Sequence, residues 1–303
     1  MSPRLTVVVA SHNRPEFIEQ TIASILEQDY SDFRVVIAEN STDDRVANLL
    51  AVLFPQVTVR RRQPPLSSAE NYYKILSELD SEYTMLFHDD DYLSRTDALS
   101  EMMELFSDKD IVAVAGNAFH LYERSPTNKL FFNDSKNLHF KSPKELFERY
   151  LRGTIAPFPS YIYKTSVLLK NLSDYPRFKK YNDIYSITSL AHFGHVAWVS
   201  EPVMYYRIHT RNDNSTVDIE AFKEIIKYGE ALGISQRNLS LYVFPIFFLG
   251  FLKKRDLNHL IRAIITFLKN PFYITYYLGR RLIVRYGTFI TKKLKIVTGS
   301  LKK

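Results

Sequence analysis

Four short strand-like segments recur through the first 90 residues: LTVVVA (5–10), FRVVIAE (33–39), VTVRRR (57–62) and YTMLF (83–87). LTVVVA, apolar and β-branched, has the pattern of a strand covered on both faces. Between them lie segments of helical character. After Pro15, Ile18, Ile22 and Ile25 share one face, with Asn13 as the expected N-cap. TDDRVANLLAVLF (42–54) carries acids at its positive end and stops before Pro55, and SSAENYYKILSEL (67–79) follows. Ser94 is the expected cap of RTDALSEMMELF. Strands and helices alternating through such short connections form a mostly parallel α/β sheet with helices on both faces.

Open sheets of this kind bind ligands beyond the carboxyl ends of their strands. The residues at those ends are Ser11, His12 and Asn13, then Glu39 and Asn40, then Asp89, Asp90 and Asp91. Nine glycines occur in the chain, and the first is Gly116. A dinucleotide fold needs a glycine-rich turn after its first strand, and a P-loop needs glycines before its lysine. Both are excluded from residues 1–115.

From 116 to about 212 strand-like stretches (AGNAFHLYER, PSYIYK, HVAWVS, VMYYRIH) mix with two helices. SPKELFERYL opens on a capping box of Ser142 and Glu145, and NDIYSITSLAHFG is capped by Asn182 and closed by Gly194. Beyond 217 the chain reads as helical. LSLYVFPIFFLGFL (239–252) falls short of the roughly 20 apolar residues a membrane span needs, so a packed or re-entrant helix is expected. YYLGRRLIVRYGTFITKKLKI (276–296) mixes aromatic and aliphatic residues with paired basic ones, the profile of a helix lying in a membrane interface. Residues 253–303 hold 13 Lys and Arg against one acid, whereas the preceding 252 residues hold 27 against 32. The net charge of +7 therefore belongs to the C-terminal segment, which points to an anionic partner. Its apolar interleaving favours lipid over nucleic acid. The absence of cysteine excludes disulfides and thiolate chemistry. The six-residue apolar run near the N-terminus is too short for a signal-peptide core, so a cytoplasmic protein, peripheral on the inner face of the cell membrane, is expected.

Three consecutive carboxylates after an apolar strand repel one another unless something cationic joins them. Asp89 and Asp91, two apart in extended geometry, project to the same side and can share one hard cation, Mn²⁺ or Mg²⁺; the alternative is a solvated acidic turn. Asp90 is expected to point away and start the next helix. Asp183, in the first turn of a helix, is either a dipole-stabilising acid or a general base. His209 is either structural or a metal ligand. Arg60, Arg61 and Arg62 read as an exposed strand end or as phosphate contacts.

The stretch TVVVASHNRPEFIEQTIASILEQDYSDFRVVIAENSTDD resembles the opening of the family-two glycosyltransferases of GT-A fold. SSAENYYKILSELDSEYTMLFHDDDYLS resembles their following segment, with its DxD-type acids, and YNDIYSITSLAHFGHVAWVSEPVMYYRIHTRNDNST their acceptor-side helix and closing strand. The likeness covers residues 4–216. It implies a catalytic domain over 1–216; the remainder, 217–303, lies outside the likeness and is expected from its own composition to be helical, basic and membrane-associating. It further implies an inverting transfer of a hexosyl-type sugar from a nucleotide-sugar donor, foremost a UDP-sugar, to a hydroxyl of a glycan or lipid-linked glycan. Bacterial surface polysaccharide assembly is the corresponding setting. By position, Ser11, Asn13, Glu39 and Asn71 would hold the nucleotide, and Asp89 with Asp90 the donor. Asp89, Asp91 and His209 would hold the metal, and Asp183 would be the catalytic base. Two departures stand out: Ala38-Glu39-Asn40 replaces an Asp pair, and Asn182-Asp183 replaces Glu-Asp. A nucleotidyltransferase and a non-catalytic nucleotide-sugar or glycan-binding protein are the competing readings. The missing glycine loop counts against the first, and the intact acids against the second.

Overall fold

The computed structural model of the chain describes residues 2–172, 182–209, 219–254, 257–269 and 271. Among them, ten strands form one sheet. The first four are β1 (Leu5–Ser11), β2 (Phe33–Glu39), β3 (Thr58–Arg61) and β4 (Tyr83–His88). They are separated by α1 (Pro15–Leu26), α2 (Arg45–Leu53) and α3 (Ser68–Ser77). β3-β2-β1-β4 is parallel throughout, in the order expected of right-handed crossovers. Val7, Val8 and Val9 are all fully buried, because helices cover both faces. One layer packs Val7 and Val9 against Ile18, Ile22 and Ile25 of α1; the other packs Val8 and Leu86 against Ile75 and Leu76 of α3.

Beyond β4 the sheet becomes mixed. β5 (Tyr92–Leu93) and α4 (Ala98–Glu104) lead into the long β6 (Ile111–Tyr122), β7 (Ser125–Leu130), β8 (Leu138–Phe140) and α5 (Pro143–Leu151). β9 (Tyr161–Lys164), α6 (Thr165–Leu172), α7 (Asn182–Ser189) and β10 (His195–Ile208) complete it. The order is β3-β2-β1-β4-β9-β6-β10-β5, with β7 on β6 and β8 on β10. β9 runs against both neighbours, so β1, β2, β3, β4, β6 and β10 share one direction and end on one edge. The two segments expected as separate strands, HVAWVS and VMYYRIH, are one continuous β10. Glu201 and Pro202 sit at a register irregularity within it, because Pro lacks the N–H that a ladder needs.

Local signals vary in how well they hold. Ser67 and Glu70 form a full capping box on α3. Ser142 caps α5, but Glu145 accepts from Lys141 N rather than from Ser142. Ser94 caps nothing: its hydroxyl donates to the Pro202 carbonyl and α4 starts later, after Asp97. Asn13 does not cap α1 either. It adopts a left-handed backbone, φ 56°, and its side-chain oxygen accepts from Thr42 N at 3.0 Å.

The chain divides into two compact units, the second holding the C-terminal residues from Ile226. α8 (Ile219–Ala231), α9 (Gln236–Lys254) and α10 (Leu257–Lys269) follow β10. Pro245 lies inside α9. No helix among the described residues is long and apolar enough to cross a membrane. The basic stretch 276–296 lies outside the described residues.

Candidate active site

Parallel registers bring the polar strand ends together. Ser11 pairs with Glu39, Glu39 with Arg61, and Ala10 with His88. The acid loop starts there, and all three carboxylates are buried. Asp89 accepts from His12 N at 3.0 Å and pairs with Arg14 at 2.8 Å. Asp90 pairs with the same guanidinium at 2.8 Å and with His209 Nε2 at 2.8 Å. One oxygen of Asp91 accepts from Arg207 N at 2.7 Å. Its other oxygen, Oδ2, is buried without a hydrogen bond; the facing cation is His88 Nδ1, at 3.4 Å.

The loop's backbone is clamped as well. The Thr21 hydroxyl shares its proton between the carbonyls of Asp89, 3.0 Å away, and Asp91, 2.6 Å away. Arg207 Nε donates to the Asp90 carbonyl at 2.7 Å, and its terminal nitrogens reach Gln20 Oε1 and the Glu123 carbonyl. The Phe17 ring lies 4.5 Å from this guanidinium and stacks on His209 at 5.6 Å.

Burial pushes the Asp89 carboxyl up to about 6 against the pull of Arg14. Asp91 is also raised, by burial, with His88 opposing. At Asp90 burial is outweighed by His88, Arg14 and His209, and the net shift is downward. His88 loses by burial but gains more from the facing acids, above all Asp91, so its imidazolium persists above the ordinary histidine value. Ligand atoms of His88, Asp90 and Asp91 lie within 4.8 Å of one another. A buried carboxylate oxygen with no hydrogen bond, beside a second carboxylate and an imidazole, fits a divalent cation taking O and N ligands. Such binding would displace the His88 proton. The convergent set thus shares Asp91 with the set inferred from the sequence. Asp89 is instead committed to His12 and Arg14, and His209 to Asp90.

At the end of β2, Glu39 is fully buried and already engaged. Its Oε1 accepts from Ser41 N at 2.7 Å, and Oε2 lies 3.1 Å from Arg61 Nε. Arg61 also pairs with Asp44 and donates to the Asp43 carbonyl, while Arg62 pairs with Glu78. Asn40 holds the 63–66 loop through reciprocal 2.8 Å bonds with the Leu66 backbone. Asn71 donates to the Ala38 carbonyl at 3.2 Å and keeps a buried Oδ1 without a hydrogen bond.

Asp183 lies in the first turn of α7. Its side chain opens to solvent, yet protein crowds it enough that desolvation raises its carboxyl against the backbone N–H groups of Ile184 and Asp183 and the charge of His88. The helix is anchored from behind. Asn171 donates to the Ser186 carbonyl at 2.6 Å and accepts from the Ser189 hydroxyl at 2.7 Å, which ties α6 to α7.

Residues 6–170 match the profile of glycosyl transferase family 2. The chain belongs to that family. Solved structures share the fold of this family-2 chain at low identity. Staphylococcus aureus TarS 1–349 in complex with UDP-GlcNAc superposes with a TM-score of 0.65 at 14% identity, covering 87% of this chain and 79% of that one. The mannosyltransferase PcManGT from Pyrobaculum calidifontis, in complex with GDP-Man and Mn²⁺, gives a TM-score of 0.53 at 16% identity, covering 100% and 87%. An uncharacterized Mycobacterium tuberculosis protein, MT1568, is 29% identical over 110 residues, which is 36% of this chain. The family-2 chain spans about a third, 34%, of that relative's length.

Within this family-2 chain the structure gathers Ser11, Asn13, Asp89, Asp90, Asp91 and His209 around one edge. Far from pointing away, Asp90 is buried between Arg14 and His209, because the turn at Asp89–Asp90 swings it back under α1. Sequence reasoning missed Arg14, Thr21, His88 and Arg207. The resemblance contained the signal for two of them: Arg14 stands inside SHNR and Arg207 inside YRIH.

Proposed function

We propose that this family-2 chain is an inverting, metal-dependent transferase. It would move a sugar from a nucleotide-sugar donor, foremost a UDP-sugar, to a hydroxyl of a glycan or lipid-linked glycan, as in surface polysaccharide assembly. The observation that carries the reading is Asp91. Its Oδ2 is buried, unbonded and 3.4 Å from His88, at the strand edge where this fold class takes its ligands.

His88, Asp90 and Asp91 would hold Mn²⁺ or Mg²⁺; the sequence resemblance adds Asp89 and His209 to that set. A divalent cation held there supplies charge neutralisation of the donor diphosphate. Ser11, Asn13 and Asn71 would line the nucleoside, with the Glu39–Arg61 pair as its wall. Asp183 takes the proton of the acceptor hydroxyl as the acceptor oxygen bonds to the anomeric carbon. The bond from that carbon to the diphosphate breaks, its electron pair leaves with the phosphate oxygen, and the configuration inverts. The raised Asp183 carboxyl makes it a better proton acceptor than an ordinary aspartate. The basic C-terminal region would dock the enzyme on an anionic membrane surface.

The test is a screen of nucleotide sugars for turnover with and without chelator, followed by product stereochemistry by NMR. Chelator-sensitive transfer with inverted anomeric configuration is expected. Turnover indifferent to chelator, or retained configuration, contradicts the proposal.

A further inference from the structure

We infer that α10 is an in-plane membrane helix whose exposed aliphatic stripe inserts into the surface of an anionic bilayer. This deepens the membrane-docking part of the proposed function and rests on it. It names a face that the chemistry of transfer does not use.

The stripe consists of Leu257, Ile261, Ile264, Ile265 and Leu268, which are 67%, 53%, 48%, 48% and 68% exposed. At 3.6 residues per turn, this spacing confines all five to an arc of about 100°. The opposite face is already used. Ala263 and Thr266 are buried, Phe267 lies 6.0 Å from Phe244 of α9, and Arg262 sits 5.8 Å over the Phe247 ring. The aliphatic stripe is therefore not the helix's packing seam with α9. A contiguous row of five exposed aliphatics is uncommon on a free monomer and marks an interaction surface.

Charge selects the occupant. α10 carries Arg262 and Lys269 and no acid. Residues 270–303, which follow it directly, add eight Lys and Arg and again no acid. A second copy of this segment would bring like charge against like. An anionic lipid surface meets both features at once: headgroups for the basic residues and acyl boundary for the stripe. α10 has 13 residues, too few to span a bilayer, so it lies on the surface rather than across it.

The full chain is tested by co-sedimentation with vesicles of phosphatidylcholine mixed with phosphatidylglycerol, and of phosphatidylcholine alone. Donor hydrolysis is read in the same samples. Wild type is expected to bind the anionic vesicles. Ile261→Asp with Ile265→Asp is expected to weaken that binding about tenfold or more, from the lost apolar burial, with hydrolysis unchanged. Because the chain lacks cysteine, Ile261→Cys can carry a fluorophore as an independent readout. Lipid-borne quenchers should extinguish it, while the same label at Val52→Cys, exposed on α2, should be spared. Three results overturn the inference. One is a double variant that sediments like wild type while Arg280→Gln with Arg281→Gln is released, which leaves docking to the basic tail alone. Another is a wild type that ignores anionic vesicles while hydrolysing donor, which sinks docking but not the transferase. The third is a lipid-free dimer by light scattering that the double variant abolishes, which assigns the stripe to a second copy.

Discussion

The acid loop at Asp89–Asp91 and the start of α7 at Asp183 are both carboxylate sites in which burial works against charge, yet they are built in opposite ways. The loop is held by Thr21 of α1 and Arg14 just before it, by Arg207 of β10 and His209 just past it, and by the amide of His12, which follows β1. Cations surround its acids on several sides. Asp183 has no ion pair among the described contacts; desolvation raises its carboxyl against the backbone N–H groups of Ile184 and Asp183 and, less strongly, His88. The difference follows from the work proposed for each. Acids that position a cation and a diphosphate need fixed geometry and compensated charge. A base must be left underpaired, because a tight salt bridge lowers the affinity for a proton that catalysis requires.

The largest test of that contrast is Asp183→Asn. It should reduce kcat by about 10²–10⁴-fold, the usual share of a general base, with donor affinity by calorimetry unchanged. Asp91→Asn should do the reverse. Metal-dependent donor binding should weaken by about 10–100-fold or more, seen by calorimetry with Mn²⁺ and Mg²⁺. If Asp91→Asn bound metal and donor normally, the loop would be structural only. Asn171→Ala, which unties α6 from α7, should lower stability by about 1–3 kcal/mol in urea melts, because it leaves buried partners unsatisfied. It should reduce kcat more than donor affinity, since Asp183 sits on the loosened helix. Smallest is Thr21→Val, at about 1 kcal/mol of stability, with its functional effect on the donor side only.

Much of the parallel half of the sheet was legible in the sequence because its signals are local. β1, β2 and β4 could be read from β-branched runs, and the Ser142 cap of α5 from its place just before Pro143. The strand ends follow from the fold class, so the sequence alone sets Asp89–Asp91 at the edge where such sheets take ligands. What could not be read was long-range pairing. Arg207 reaches the loop from 116 residues away, and nothing near Asp91 announces it. Local rules also failed where tertiary contacts competed. Asn13 was a sound N-cap candidate, but Thr42 offers its side chain a better use and turns its backbone left-handed. The mixed half of the sheet was read less well, since a strand that tolerates Glu201-Pro202 in its middle looks like two.

The most direct measurement is the pH dependence of kcat for wild type and Asp183→Asn, with donor affinity taken at each pH. For wild type the rate should fall on the acid side, with a midpoint above the roughly 3.9 of a free aspartate, because burial raises Asp183 and protonation removes the base. In Asp183→Asn the residual rate should lose that limb while donor affinity keeps its own pH course. A wild-type rate carried over intact into Asp183→Asn, or an acid limb that survives the substitution, would contradict the assignment of the two carboxylate sites.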